Sequence, residues 1–256
     1  MKKFLFLLIL FNHLFSACDA NQKPTDHKGD INDKTRVEKG VAKGRVLDTG
    51  GKPIAGAKVY VDNTIYFNSG ISTTTDQQGF YRVQVPLGSW RVYAEITVAY
   101  NGKRFKKIEL DPDNADSFAG ADGAIRNFQW RLTGEKPKPL VGFYGGLVNL
   151  FNDPNGNLYD VENIEFTFTP DGPLIDGSTG TAIKAKSGAP RTAYYSKIND
   201  IPMGRYMVTA KHLPTGKQLK LSNYNGQDNY SNSLSIEFEP ELNYCTRCMA
   251  IAYSDR

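Results

Sequence analysis

One sequence pattern occurs twice in this chain, at residues 85–95 (VPLGSWRVYAE) and at residues 201–211 (IPMGRYMVTAK). In each copy a Pro-x-Gly turn precedes a run in which apolar and other side chains alternate. The matched positions are Val85/Ile201, Pro86/Pro202, Leu87/Met203, Gly88/Gly204, Trp90/Tyr206, Val92/Val208 and Ala94/Ala210. Alternation with a period of two is typical of a half-buried strand. The repeat therefore predicts two β-domains in tandem, with Trp90 and Tyr206 in their cores.

The N-terminus has the pattern of an export signal. Two lysines precede an apolar run over residues 4–15, which is shorter than the roughly 20 residues that a membrane-spanning helix needs. Residues 15–18 (FSAC) resemble a bacterial lipobox, with Phe15 where Leu is usual. We expect residues 1–17 to be a lipoprotein signal peptide and Cys18 to be lipidated. The alternative is a soluble exported protein in which Cys18 lies near the cleavage site by chance.

Residues 18–39 have few large apolar side chains, so ordering them would not be repaid by burial, and we expect a flexible tether. The formal net charge is only +4, and no run of basic residues is interleaved with aromatic residues. A nucleic-acid partner is therefore not expected.

From Gly40 onward, short alternating runs lie between clusters of Gly, Pro, Asn and Asp, which indicates an all-β chain. We expect a first β-sandwich over 40–134, a Pro-rich linker at 135–141 and a second, diverged β-sandwich over 142–256. The strands predicted in the first half are 41–48, 57–62, 71–75, 80–85, 89–99, 104–110 and 125–132. In the second half, Ile164, Phe166 and Phe168 alternate as in a strand.

A series of spaced motifs in the first half resembles the carboxypeptidase regulatory-like domain. The motifs are GRVLDTGGKPIAGAKV at residues 44–59, then Thr74, Thr75, Asp76, Gly79 and Phe80, and then Pro86, Leu87 and Gly88. The resemblance covers about residues 40–110 and implies a transthyretin-like (prealbumin-like) β-sandwich. It also implies a non-catalytic module of the carbohydrate-binding-like fold class, a name that describes shape and not ligand binding.

Residues for catalysis are scarce. Of the three histidines, only His212 lies in a predicted domain, and no zinc-binding His-x-x-Glu pair, nucleophile elbow or phosphate loop is present. Asp171 and Asp176 lie among Gly and Pro in a predicted loop, where solvated turn residues are the simpler interpretation. We therefore expect that the protein is not an enzyme and uses no cofactor. A hydrolase with an unrecognised site is the weakest alternative.

Two small clusters raise the question of metal or redox chemistry. Asp111, Asp113, Asp116 and Asp122 are a weak calcium candidate, because Ala115 and Asp116 do not fit an EF-hand frame begun at Asp111. We therefore expect no metal. Cys245 and Cys248 are a candidate disulfide in an oxidising compartment, and two free thiols are the open alternative.

Tyrosines in polar stretches are the remaining ligand-binding candidates, because Tyr beside Asn, Gln and Asp can stack on sugar rings and bind their hydroxyls. The candidates are Tyr194, Tyr195, Tyr224 and Tyr230. Half-buried tyrosines on strands and rims are the simpler interpretation.

The sequence thus predicts an exported, non-enzymatic protein, lipid-anchored through Cys18 to the bacterial cell envelope at the outer membrane. Its expected activity is that of a binding or assembly module, with envelope proteins as partners. A surface glycan-binding protein is the alternative.

Overall fold

The computed structural model describes residues 36–226 and 229–256, and that part of the chain is all-β. The expected signal peptide, Cys18 and most of the expected tether lie outside the described residues. Within the described part, no helix is long and apolar enough to cross a membrane. The longest helical segment there is the single turn Val161–Asn163.

The first domain is a sandwich of two sheets. Its strands are β1 (Val41–Leu47), β2 (Lys58–Asn63), β3 (Gly70–Thr74), β4 (Phe80–Gln84), β5 (Ser89–Tyr100), β6 (Lys103–Glu109), β7 (Asp111–Pro112), β8 (Phe118–Ala119), β9 (Ala124–Ile125) and β10 (Phe128–Gln129). One sheet has the order β4-β1-β10-β7, with β9 also on β1, and the other has the order β3-β2-β5-β6, with β8 on β5. The core between them includes Val46, Val59, Trp90, Val92 and Phe105.

The second domain is built from β11 (Gly146–Asn152), β12 (Ile164–Leu174), β13 (Ile183–Ala185), β14 (Lys197–Ile201), β15 (Gly204–His212), β16 (Gln218–Asn223), β17 (Leu234–Glu237), β18 (Glu239–Leu242) and β19 (Cys245–Ser254). Their order is β13-β12-β15-β16-β19-β11-β14, with β17 on β15 and β18 on β19. The first half of β16 pairs with β15 and its second half pairs with β19. This strand therefore passes from one face of the sandwich to the other.

The two domains share one topology. In the first, β1 pairs antiparallel with β4 and parallel with β10, while β2 lies between β3 and β5 and β5 also pairs with β6. In the second, β11 pairs antiparallel with β14 and parallel with β19, while β12 lies between β13 and β15 and β15 also pairs with β16. The sequence repeat thus corresponds to a structural repeat.

The register of the repeated strand is also the same in both halves. Trp90, Val92 and Ala94 lie opposite Asn63, Val61 and Val59. Tyr206, Val208 and Ala210 lie opposite Pro170, Phe168 and Phe166. Both aromatic side chains of the repeat are buried, as the sequence predicts.

The strand predicted at 125–132 is wrong, because that segment forms only β9 and β10, two residues each. Asn127 interrupts the ladder: its side-chain Oδ1 accepts the N–H of Arg45 at 3.0 Å, in place of a backbone partner. Its own side chain and N–H are bonded to Asp113. Two short bridges to β1 therefore replace one continuous strand.

The expected linker at 135–141 is a closed turn. The N–H of Lys136 donates to the carbonyl of Gly142 at 2.9 Å, and Glu135 bridges to Phe143. The Lys136 ammonium pairs with Glu109 of the first domain. These contacts hold the predicted Pro-rich linker against the body of the protein.

Polar contacts join the first domain to the second at the C-terminal ends of β1 and β5. Tyr100 is buried; its hydroxyl donates to the carbonyl of Pro173 (2.8 Å) and accepts the N–H of Arg205 (3.0 Å). The Lys103 ammonium lies 2.7 Å from Glu237 and 2.6 Å from Glu239. These groups join the second domain to the end of the first domain at which β5 finishes and β6 begins.

Candidate ligand-binding surface

An exposed aromatic cluster lies on the second domain. We call Phe151, Tyr224, Asn225 and Tyr244 the tyrosine patch. The rings of Phe151 and Tyr224 stack, with centroids 3.7 Å apart and planes 9° apart, and Tyr244 meets Phe151 edge-on at 6.2 Å. The Asn225 amide donates to the Tyr244 hydroxyl at 2.9 Å. Tyr224 is 50% exposed and Tyr244 is 48% exposed, so both present ring surface to solvent.

Three separate elements bring the patch together. Phe151 is on β11, opposite Ala252 of the parallel strand β19. Tyr224 and Asn225 follow β16, where the N–H of Tyr224 donates to the carbonyl of Ala250. Tyr244 is in the turn between β18 and β19. The patch therefore forms only when these distant segments have folded onto one face.

A disulfide between Cys245 and Cys248 closes a short loop at the start of β19, in the hairpin that carries Tyr244. Arg247, between the two cysteines, has a positive φ of 52°, so the strand turns sharply there. The side-chain amide of Asn149 on β11 lies 3.3 Å from Cys245 Sγ. These contacts hold the tip of the hairpin over the face that carries Phe151.

The chemistry of the patch suits a polar ring-shaped ligand. Aromatic faces favour stacking on the apolar face of such a ring, and amide and hydroxyl groups at the edge can bind its hydroxyls. Because one face of Tyr224 is covered by Phe151, only its other face is open to a ligand.

The four tyrosines predicted as ligand contacts do not gather in one place. Only Tyr224 belongs to the patch. Tyr194 contacts Phe143 edge-on at 6.0 Å, and the Tyr195 hydroxyl donates to the carbonyl of Tyr159 at 3.2 Å. Tyr230 is half-buried, and burial raises its pKa, with a contribution from the Asp153 carboxylate. Phe151 and Tyr244 were not predicted, because nothing in the local sequence indicates that they meet.

The acidic residues of the calcium candidate are likewise dispersed. Asp111 pairs with Arg131 and accepts the Tyr144 hydroxyl, while Asp113 binds Asn127. Asp116 contributes a backbone carbonyl to Arg126, and Asp122 is exposed. Over residues 36–226 and 229–256, no group of three or more His, Cys, Asp or Glu side chains could hold a metal ion.

The two acids considered for hydrolysis are bound to neighbouring groups. Asp171 pairs with Arg205 at 2.9 Å. Asp176 accepts hydrogen bonds from Ser178 and from Thr49 of the first domain. Although burial opposes ionisation, these bonds outweigh it and lower the pKa of Asp176. Both carboxylates thus have partners within the protein.

A loop in the first domain exposes three consecutive large apolar side chains. We call residues 64–69 the apolar loop; Ile65, Tyr66 and Phe67 within it are all exposed, Phe67 completely. Asn63 shapes the loop, since its Oδ1 accepts the N–H groups of Ile65 and Tyr66 at 2.8 and 2.9 Å. The sequence signal was three large apolar residues between Asn-Thr and Asn-Ser-Gly, where a turn is expected.

Next to this loop, Tyr60 and Tyr93 stack on the outer face of β2 and β5, with ring centroids 4.9 Å apart. The Tyr93 hydroxyl donates to Asp62 and the Tyr60 hydroxyl donates to Glu95, both at 2.9 Å. Burial, followed by the hydrogen bond to Asp62, raises the pKa of Tyr93 to about 12. No local sequence pattern predicts this pair, because its two members come from different strands.

Several solved structures show a distant likeness to this chain. The Bacillus anthracis TIE protein is 15% identical with a TM-score of 0.32, over 84% of this chain and 34% of that one, so this chain spans about a third of its length. The major pilin subunit of Bacillus cereus is 9% identical with a TM-score of 0.25, over 85% and 100% of the two chains. A putative adhesin from Bacteroides thetaiotaomicron is 11% identical with a TM-score of 0.27, over 71% and 79%. At these scores the likeness carries no information on function.

No curated protein shows significant similarity to the sequence. A protein-family model does match the first domain, over β1–β7 and into β8. Residues 42–118 are similar to the carboxypeptidase regulatory-like domain, as the sequence motifs indicate.

Proposed function

We propose that this chain is a non-enzymatic, lipid-anchored protein of the bacterial cell envelope that acts as a binding or assembly module. The tyrosine patch is the observation that carries the proposal, because it presents exposed aromatic and amide groups on a rigid sheet. The two acids considered for a hydrolase agree with a non-enzymatic role, because Asp171 pairs with Arg205 and Asp176 accepts hydrogen bonds from Ser178 and Thr49.

The anchor is tested by the fate of Cys18. Expressed in a bacterial host, the parent chain should fractionate with membranes, and its mature N-terminal peptide should carry acyl groups on Cys18 by mass spectrometry. The Cys18→Ser variant should lose the acyl mass. An unmodified Cys18 in the parent chain would refute the lipid anchor.

Glycan binding is the second candidate, and the geometry of the patch favours it over a purely structural assignment. Stacked Phe151 and Tyr224 form a platform, and Asn225 and the Tyr244 hydroxyl lie at its edge. Aromatic platforms of this kind bind sugar rings through their apolar faces. The same patch could hold a protein partner, so the test includes both classes.

A glycan array probed with the purified parent chain tests this candidate. We expect Tyr224→Ala and Tyr244→Ala each to weaken binding about tenfold, the effect of losing one stacking contact. Tyr159→Ala is the matched control, because Tyr159 is 67% exposed and lies outside the patch. Binding that all three variants lose equally, or an array without hits, would overturn glycan binding.

Envelope proteins that co-purify with the parent chain, and are lost with Tyr224→Ala, would instead support assembly. If removing the patch changes neither glycan nor protein binding, the patch is not the site and the proposal fails in its central claim.

A further inference from the structure

The apolar loop lies at the N-terminal end of the first domain, the end where the chain enters from the expected tether. The N–H of Val85 donates to the carbonyl of Gly40 at 2.9 Å, so the entry point adjoins the turn at 86–88. On the other side of that turn, the N–H of Thr64 donates to the carbonyl of Ser89 at 2.9 Å. Entry point, turn and apolar loop are therefore neighbours.

The turn at 86–88 adds a fourth exposed apolar side chain, because Leu87 is 82% exposed. The second domain contacts the opposite end of the first domain, at Thr49, Tyr100 and Lys103. Strand β5 runs from Ser89 to Tyr100, a span of roughly 36 Å at the usual rise per residue. The apolar end thus points away from the second domain.

We infer that the apolar loop and Leu87 insert into the surface of the lipid bilayer and orient the protein on the membrane. Four observations favour a lipid surface over a protein partner. The side chains protrude from a loop tip, the loop 64–69 contains no charged residue, and two of its N–H groups are already satisfied by Asn63. The fourth observation is the position of the tether, which emerges at the same end.

Burial of backbone in a bilayer is unfavourable unless its polar groups are bonded within the protein. The Asn63 side chain meets that requirement for Ile65 and Tyr66, and the N–H of Asn63 closes the base of the loop by donating to the carbonyl of Ser69 at 2.8 Å. Tyr66 also belongs to the residue types that favour the membrane interface.

The inference rests on the proposed anchor at Cys18, and it adds something that the anchor alone cannot supply. Fully extended, the chain from Cys18 to Arg36 reaches about 60 Å, so an anchor by itself leaves the body free to turn in any direction. Insertion of the apolar loop would fix one orientation, with the second domain held away from the membrane.

The test uses the mature lipidated chain in phosphatidylethanolamine vesicles with and without brominated acyl chains. Phe67→Trp places a fluorophore at the loop tip, and Tyr159→Trp places one on the second domain; Trp90 and Trp130 are buried and give a common background. We expect bromine quenching and a blue shift for Phe67→Trp and neither for Tyr159→Trp.

Adding Ile65→Ser and Leu87→Ser to Phe67→Trp should lower the ratio of inserted to free loop about tenfold or more, since each removes one buried aliphatic side chain. Salt should have little effect, because the contact is apolar. Equal and weak quenching of Phe67→Trp and Tyr159→Trp would overturn the inference. So would crosslinking of position 67 to an envelope protein without quenching by lipid.

The proposed lipid anchor and the proposed insertion of the apolar loop can be refuted independently. If mass spectrometry finds Cys18 unmodified, the anchor is refuted, and the same Phe67→Trp protein is then added to preformed vesicles. Quenching in that assay supports insertion of the loop without an anchor, and its absence refutes both.

Discussion

Trp90 and Tyr206 stabilise their domains in the same way. The Trp90 indole N–H donates to the carbonyl of Pro86 at 2.9 Å, and the Tyr206 hydroxyl donates to the carbonyl of Pro202 at 2.7 Å. Each aromatic residue thus fills a core and ties its polar atom to the turn four residues earlier. Two chemically different side chains satisfy one geometric requirement of the repeat.

Tyr206→Phe removes the hydroxyl and little else, so it isolates this hydrogen bond. We expect it to lower the free energy of unfolding by about 1 kcal/mol, because the Pro202 carbonyl loses its partner in a partly buried site. Urea denaturation measures the change. Tyr66→Phe is the control on an exposed ring, and equal effects of the two substitutions would contradict the assignment.

At the scale of the elements, strands with strong alternation were predicted well from sequence. Strands β1 to β6 lie within one or two residues of their predicted bounds, because alternation and turn residues are local signals. The interruption at Asn127 was not predictable, since it depends on a side chain that replaces a backbone partner on a distant strand. The passage of β16 from one face to the other depends on tertiary pairing in the same way.

The candidate site was less predictable than the strands. Tyr224 was identified from its polar neighbourhood, but Phe151 reaches it from strand β11 and Tyr244 from the turn between β18 and β19. Contacts between residues so far apart in the chain leave no local sequence pattern from which they could be predicted. The apolar loop, by contrast, could have been found, because Ile65, Tyr66 and Phe67 interrupt a polar turn.

The disulfide at the start of β19, next to Tyr244, yields a prediction at this scale. Replacing Cys245 and Cys248 together by Ala should lower the free energy of unfolding by about 2 kcal/mol, as expected for a very short disulfide loop. Hydrogen exchange should rise over β18 and the turn with Tyr244, and remain unchanged in the first domain. Reductant should lower the free energy of unfolding of the parent chain but not that of the variant. An equal decrease in both would contradict this explanation.

At the scale of the whole molecule, the end contact between the domains depends on charge. Lys103 lies between Glu237 and Glu239, so Lys103→Met would leave two carboxylates close together without the ammonium that bridges them. We expect the free energy of unfolding to fall by about 1 kcal/mol, a small change because the groups are partly exposed. Lys106→Met on the same strand is the matched control. No difference between the two variants in urea denaturation would show that the ion pairs do not stabilise the contact.

The same contact should respond to acid. Burial raises the pKa of Glu237, but hydrogen bonds from Lys103 and Asn101 outweigh it, and the net pKa lies below the ordinary 4.5. A lowered pKa gives stability that is present above 4.5 and is lost as the pH falls through the folded value. Glu237→Gln should therefore flatten the acid limb of a stability profile measured by urea denaturation. If the acid limb of Glu237→Gln were as steep as that of Glu135→Gln, an exposed-site control, the result would contradict this origin.

The parallel pairing of first and last strands in each domain has a mechanical consequence. In the first domain, β1 enters at one end and the chain leaves after β10 at the other, with the two strands paired side by side. A pull between a membrane anchor and a ligand held by the second domain would load these strands along their length. The hydrogen bonds between the strands would then be loaded in shear and would have to break together, whereas in an unzipping geometry they would break one at a time.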